Sequence, residues 1–431
     1  MDPVTLGSVG CAALVLLALI GVRIAYAAAI VGTIGLVAMT GSVEAGLTAA
    51  GTVPYAKSVN YTLSVLPMFV LIGYLAYYAG MTTTSFEAAK RWLGWLPGGL
   101  AVGTIFAVAA FSAVSGASTA AAAVFARVAI PEMLKAGYDR RLAAGVVAAG
   151  STLDSLIPPS ALLVIYAIIV EQSVGKLLVA GFVPGIISAL IYSVIVVIRC
   201  RISPEMGPPI RGFTWRQRFE TLPGTMPIVI VIVLIFTAML FGWATPTEAG
   251  ALGAFSTLVF AWRNGMTRAD LRGALLDTAR LTVMIFTIVW GVLIFVRFLG
   301  FADLPTAISE WVGGMKVSPL LILLAIYLLY FILGMFMDAI GMMLLTLPIV
   351  YPIVTNLGYD PIWFGIIVVK LCGIGLLTPP VGLSAFVVNG VRPDIPLGDV
   401  FRGVWPFVCA DLVTLAVLTA WPELVTFIVA D

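Results

Sequence analysis

Residues 150–160 place Gly150, Ser151, Thr152, Asp154 and Ser155 just ahead of Pro158-Pro159-Ser160. Two consecutive prolines remove two backbone donors and crowd the preceding turn, so upstream carbonyls lose their helical partners. Freed carbonyls beside hydroxyls and one carboxylate make an all-oxygen ligand set. Hard cations, sodium among them, favour such a set over thiolate or imidazole. The second half repeats the arrangement, with Gly373, Gly375 and Thr378 ahead of Pro379-Pro380. Two bends join these breaks as places for chemistry. One carries Ser112, Ser115, Gly116, Ser118 and Thr119, and the other runs from Gly334 through Asp338 to Gly341. A single proline pair is accounted for equally well by a helix kink, and a single hydroxyl by close helix packing. Two pairs at corresponding positions, each preceded by Gly and Ser or Thr, point instead to a polar cavity.

Ionisable residues inside apolar runs are the next candidates. Asp338, in the second bend, is the strongest. Lys370 stands ahead of the second proline pair and suits a substrate carboxylate, with snorkelling as the competing account. Arg127 is divided between substrate contact and an interfacial anchor. Facing half-helix N-termini carry partial positive charge that suits an anion. Ser118, Thr119, Lys370 and Arg127 are therefore the substrate-binding candidates. Asp154, Glu248, Arg297 and Asp411 stay open between internal ion pairs and function. Histidine is absent, which excludes a histidine proton relay and any His-ligated metal. Four isolated cysteines, Cys11, Cys200, Cys372 and Cys409, form neither a metal-ligand spacing nor a disulfide framework.

These residues sit in a chain that composition assigns to the membrane. Its 431 residues are 61% hydrophobic and 10% charged, against about 25% charged in soluble domains. Mean hydropathy is +1.12, and the net charge of +2 offers no basic patch for nucleic acid. The chain also repeats itself at an offset of 221 residues. Pro131, Gly137-Tyr138-Asp139 and Pro158-Pro159 recur as Pro352, Gly358-Tyr359-Asp360 and Pro379-Pro380. Gly21 and Gly32 recur as Gly242 and Gly253. A duplicated pattern of this kind is the mark of a membrane transporter built from two repeats.

A spanning helix needs about 20 apolar residues. Such runs predict an all-α integral membrane protein with about ten spans, near 4–22, 24–41, 62–80, 139–171, 177–199, 224–242, 245–262, 278–299, 359–391 and 401–428. The first reads as a retained span, because it lacks a basic leader region and a cleavage site. Two longer segments, about 98–131 and 318–352, are interrupted midway and read as re-entrant hairpins. Arg199, Arg201, Arg211, Arg216 and Arg218 place the loop after the fifth span in the cytoplasm. Counting outward leaves both termini outside. Five spans per repeat is odd, so residues 222–431 run inverted relative to 1–200, with 201–221 as a cytoplasmic linker and the hairpin tips near the midplane. The hairpins and broken helices (98–171 and 318–391) are expected to move as one unit. The remaining spans then form a scaffold, with amphipathic arms near 83–97 and 266–280.

The runs FSAVSGAST (111–119), PEMLKAGYDRRLAAGVVAAGSTLDSLIPPSALLVIYA (131–167) and GYDPIWFGIIVVKLCGIGLLTPPVGLSAFVVNGV (358–391) carry a resemblance. They resemble the large membrane subunit of tripartite ATP-independent periplasmic (TRAP) transporters, within the ion transporter superfamily, over essentially the whole chain. The resemblance implies a sodium-driven, elevator-type importer in a bacterial inner membrane, with Na+ as coupling ion and no other cofactor. It implies a small four-helix membrane subunit and a periplasmic substrate-binding protein that delivers an organic acid: a C4-dicarboxylate, sialic acid or a related carboxylate. Carried over by position, one sodium site falls between Ser115-Gly116 and the break holding Gly150, Thr152 and Pro158. The other falls between Gly334, Asp338 and the break holding Gly375, Thr378 and Pro379. The sequence departs from the family pattern at Asp154, where glycine is expected, and at Gly373, which an acidic residue often occupies.

The alternative within this architecture is a stand-alone sodium/dicarboxylate symporter without a binding protein. An intramembrane enzyme lacks support, since no paired-carboxylate motif or base-flanked nucleophile stands in the chain. A channel fits less well, because two inward hairpins suit alternating access more than a continuous pore.

Overall fold

The computed structural model describes residues 2–59, 61–115, 118–314, 317–380 and 382–429, and every regular element among them is helical. The first half runs α1 (Pro3–Leu19), α2 (Ile24–Thr40), α3 (Val43–Ser58), α4 (Val65–Tyr78), α5 (Met81–Leu93), α6 (Gly99–Ser115), α7 (Ser118–Lys135), α8 (Arg140–Ser151), α9 (Ala161–Ile169) and α10 (Val174–Ile202). A short α11 (Trp215–Phe219) lies in the linker. The second half runs α12 (Leu222–Leu240), α13 (Pro246–Arg263), α14 (Arg268–Phe301), α15 (Leu304–Gly314), α16 (Pro319–Gly334), α17 (Ala339–Asn356), α18 (Pro361–Leu377), α19 (Leu383–Val391), α20 (Leu397–Ala420) and α21 (Glu423–Thr426).

Among the described residues, five helices are by themselves long and apolar enough to cross a membrane: α10, α12, α14, α17 and α20. The pair α4 and α5, bent by 70°, qualifies jointly, and α16 and α18 are shorter apolar helices. In α10 the chemistry of the two solvents is inverted relative to a soluble helix. Ile186, Leu190, Val194 and Ile198 form an exposed apolar stripe, while Ser188, Tyr192, Val196 and Cys200 are buried. Lipid takes the apolar face, and the polar groups find partners inside the protein.

The repeat is visible in the elements. α7 and α17 start at Ser118 and Ala339 and end at Lys135 and Asn356, so both ends keep the 221-residue offset. The Gly-Tyr-Asp motif acts here as a helix-to-helix joint. Gly137 and Gly358 adopt φ of 81° and 86°, a left-handed conformation that glycine enters without steric cost. Asp139 then caps α8 by accepting from Arg141 N and Leu142 N. Asp360 caps α18 by accepting from Ile362 N and Trp363 N.

Two expectations need correction. The stretch 266–280 is no separate arm: its helical part, from Arg268, is continuous with the span in the 34-residue α14. The matching stretch of the first half is interrupted into α3 and α4, with Pro54 and Pro67 on either side of the gap, whereas α14 holds no proline. Further, α10 and α20 do not side with the scaffold. They pack on each other and on α6, α8 and α18, while α1 to α4 pack with α13 and α14. Glycines allow the closest crossings between the halves. A Cβ on Gly145 of α8 would stand 2.3 Å from Gly403 O of α20, and one on Gly291 of α14 would stand 2.0 Å from Ala25 O of α2.

Candidate cation and substrate site

In the first half α8 ends at Ser151, a 3-10 turn covers Thr152–Ser155, and α9 resumes after the proline pair. Residues 150–160 are all buried, Pro158 included. Hydroxyls take up carbonyls that the break frees. Thr152 Oγ1 donates to Ala149 O at 2.8 Å, Ser155 Oγ to Thr152 O at 2.6 Å and Ser160 Oγ to Ser155 O at 2.6 Å. Each hydroxyl keeps lone pairs for a further partner. Ser118, the first residue of α7, donates to both carboxylate oxygens of Asp154, at 2.7 and 2.9 Å. The first hairpin is thereby tied to the first break. Gly116 and the side chains of Ser115 and Thr119 lie outside the described residues.

In the second half the hairpin meets its break where two glycine backbones touch, and Cys372 Sγ of α18 lies 3.8 Å from Ala339 O of α17. Gly334 ends α16 and Gly375 lies near the end of α18; a Cβ on either would stand 2.6 Å from the Cα of the other. Thr378 ends the ladder, its Oγ1 donating to Ile374 O at 2.7 Å, and Pro379 is half-buried. Asp338 is the N-cap of α17, accepting from Gly341 N at 3.0 Å. It is half-buried, and a carboxylate has acceptor capacity beyond that one bond. Among the described residues no three of His, Cys, Asp and Glu gather as a metal cluster. The donors at both breaks are hydroxyls, carbonyls and single carboxylates, a set that fits sodium by chemistry.

The expected substrate residues separate. Lys370 is buried in α18 and its ammonium is already paired, with Asp411 of α20. It also donates to Ser188 Oγ at 3.3 Å and lies 5.5 Å from the centre of the Tyr192 ring. Tyr192 donates to Asp411 Oδ1 at 2.7 Å. The carboxylate that Lys370 meets in this structure belongs to the chain itself. Arg127 is exposed on α7, away from the buried break. Arg297 donates to Thr52 Oγ1 at 3.0 Å, and Glu248 closes a capping box with Thr245 at the start of α13. Sequence reasoning also missed Asp399, which takes Arg140 Nη2 at 2.6 Å and Arg141 Nε at 2.9 Å and ties α20 to the start of α8.

Long apolar helices, with a helical hairpin against the broken helix of each half, are the architecture of a multi-pass transporter permease. The chain belongs to the family of the DctM component of tripartite ATP-independent periplasmic transporters, whose model matches residues 11–424. It is 35% identical to the C4-dicarboxylate TRAP transporter large permease protein DctM of Pseudomonas aeruginosa, over 85% of this chain and 86% of that protein. It is 30% identical to the isethionate TRAP transporter permease protein DctMQ of Oleidesulfovibrio alaskensis, over 89% of this chain but 62% of that longer protein. The solved structure of the Alcanivorax borkumensis YdaH transporter shares the fold at 14% identity and a TM-score of 0.62, covering 88% of this chain and 89% of that one. These relatives are permeases, so the chain is not an enzyme.

Proposed function

We propose that this chain is the translocation subunit of a sodium-driven, binding-protein-dependent importer of organic acids in a bacterial inner membrane. One observation carries the reading: each hairpin meets the break of its own half, at Ser118–Asp154 and at Gly334–Gly375. Gly150, Thr152 and Pro158 would supply oxygens to one sodium ion, with Ser115 and Gly116 from the hairpin tip. Gly334, Asp338, Gly375, Thr378 and Pro379 would supply them to the other. Bound sodium adds positive charge that favours an anionic substrate beside Ser118 and Thr119. The dicarboxylate and isethionate named for the relatives are both small organic anions, which supports that class. The extra length of the DctMQ relative supports a second membrane component, a small four-helix subunit. The two halves run inverted, with both termini periplasmic, and the hairpin group moves against the scaffold. In that orientation the tip of the second hairpin rests at the cytoplasmic end of α2, where a Cβ on Gly341 would meet Ile24 Cδ1 at 2.3 Å. That arrangement corresponds to an inward-facing position.

The test is uptake into vesicles holding this chain, its small subunit and its binding protein. Substrate should accumulate under an inward sodium gradient and not when potassium replaces sodium. Equal uptake in potassium would overturn the coupling ion, and full uptake by this chain alone would favour the stand-alone symporter.

A further inference from the structure

Among the described residues no cation pairs with the buried carboxylate of Asp154. Only 4% of the residue is exposed. Its partners are one hydroxyl, from Ser118, and the Ser155 amide. Charged and titratable groups on the surrounding elements pair or lie elsewhere, with Lys176, Arg199 and Arg201 at the two ends of α10. From α18, Lys370 closes on Asp411, and Cys372 faces Ala339 O. From α10, Tyr192 donates to Asp411; from α9, Tyr166 donates to Pro361 O. Arg140 and Arg141 reach Asp399 from the opposite end of α8. On α7, Arg127 is exposed, and Glu132 lies at the far end with Lys90 and Lys135. Helix α6 carries no ionisable residue.

The start of α7 at Ser118 offers Asp154 about half an elementary charge through the helix dipole. A negative charge there sits away from water, a condition that proteins relieve by pairing, by metal coordination or by taking up a proton. Both oxygens are within hydrogen-bond distance of the same hydroxyl, whose single proton leaves acceptor capacity on the carboxylate for a further partner. We propose that Asp154 is a side-chain ligand of the monovalent cation held at the first break. Each half then contributes one carboxylate, Asp154 from a break and Asp338 from a hairpin. The first site then carries formal charge of its own, as the second does. This inference rests on the sodium-coupled reading above.

The experiment follows the melting temperature of the purified full chain while sodium chloride replaces choline chloride at constant ionic strength. Sodium should stabilise the unaltered chain with a definable half-saturation. Asp154→Asn should raise that half-saturation by at least about tenfold, as expected when one partner of a buried charge pair is removed. Asp154→Gly, which removes the carboxylate and its bulk together, should do the same and serves where the asparagine variant folds poorly. Asp338→Asn, which retains a capping side chain, is the parallel control for the other site. If the Asp154 variants keep the original half-saturation while Asp338→Asn shifts it, Asp154 is a structural acceptor for Ser118 and the proposal is overturned with sodium coupling intact. A lower melting temperature in choline without a shift in half-saturation overturns it in the same way. If sodium stabilises the unaltered chain no better than choline, the coupling ion itself is wrong.

Discussion

Lys370 and Asp411 hold opposite charges in the interior, both buried, with Ser188 and Tyr192 supplying hydrogen bonds around them. Removing one member leaves the other charge unpaired, which costs about 3–5 kcal/mol in buried pairs. Lys370→Met should therefore destabilise the chain by about that amount. Lys370→Met combined with Asp411→Leu should recover most of the loss, because an apolar pair removes both desolvation penalties. Denaturant unfolding in detergent measures the stability, and vesicle uptake measures the function. A double variant that is stable yet no longer imports would return Lys370 to the substrate site. Each residue was legible in the sequence as a lone charge in an apolar helix. Their pairing was not, because 41 residues and a helix reversal separate them. Asp154 was legible as an oxygen donor, but its isolation from every described cation is a property of packing.

At the level of elements, the proline pairs, the Gly-Tyr-Asp joints and the hairpins were readable from spacing, because each imposes a backbone rule that holds locally. The contact between Gly334 and Gly375 was readable only as two glycines near two bends. The structure adds that the backbones touch. Gly375→Ala places a methyl group 2.6 Å from the Gly334 Cα, so the hairpin must move away from α18. Overpacking of this kind costs about 1–3 kcal/mol. The variant should melt lower in choline and gain less from sodium than the unaltered chain. Gly390→Ala is the matched control: nothing lies within 4 Å of its Cβ, and alanine favours the helix. Equal behaviour of the two variants would mean that the contact is compliant and sets no site geometry. The continuity of α14 was not legible because Arg268, Asp270, Arg272, Asp277 and Arg280 set its start apart from the apolar run that follows.

For the whole molecule, α10 and α20 pack on the broken helices, so in a rigid displacement they would travel with the hairpin group. Sequence adjacency had assigned them to the scaffold, since neither contains a break; their partners α8 and α18 lie far away along the chain. Rigid displacement of the hairpin group against α1 to α4 and α12 to α14 requires the contact of Ile24 with the Gly341 tip to open and close. Ile24→Cys with Gly341→Cys, in a chain cleared of Cys11, Cys200, Cys372 and Cys409, should trap one position. Disulfide formation should abolish uptake into vesicles and reduction should restore it. Uptake that persists with the cross-link confirmed by mass spectrometry would favour local opening of the hairpins over rigid displacement.

The glycine crossings of α8 with α20 and of α2 with α14 have a consequence for biogenesis. Both join a helix made early in synthesis to one made late. The first half therefore enters the bilayer with the grooves at Gly145 and Ala25 still open, and each stays open until its partner emerges from the ribosome. Neither crossing is complete within one half, and that of α8 closes only when α20, the last long helix, has been inserted.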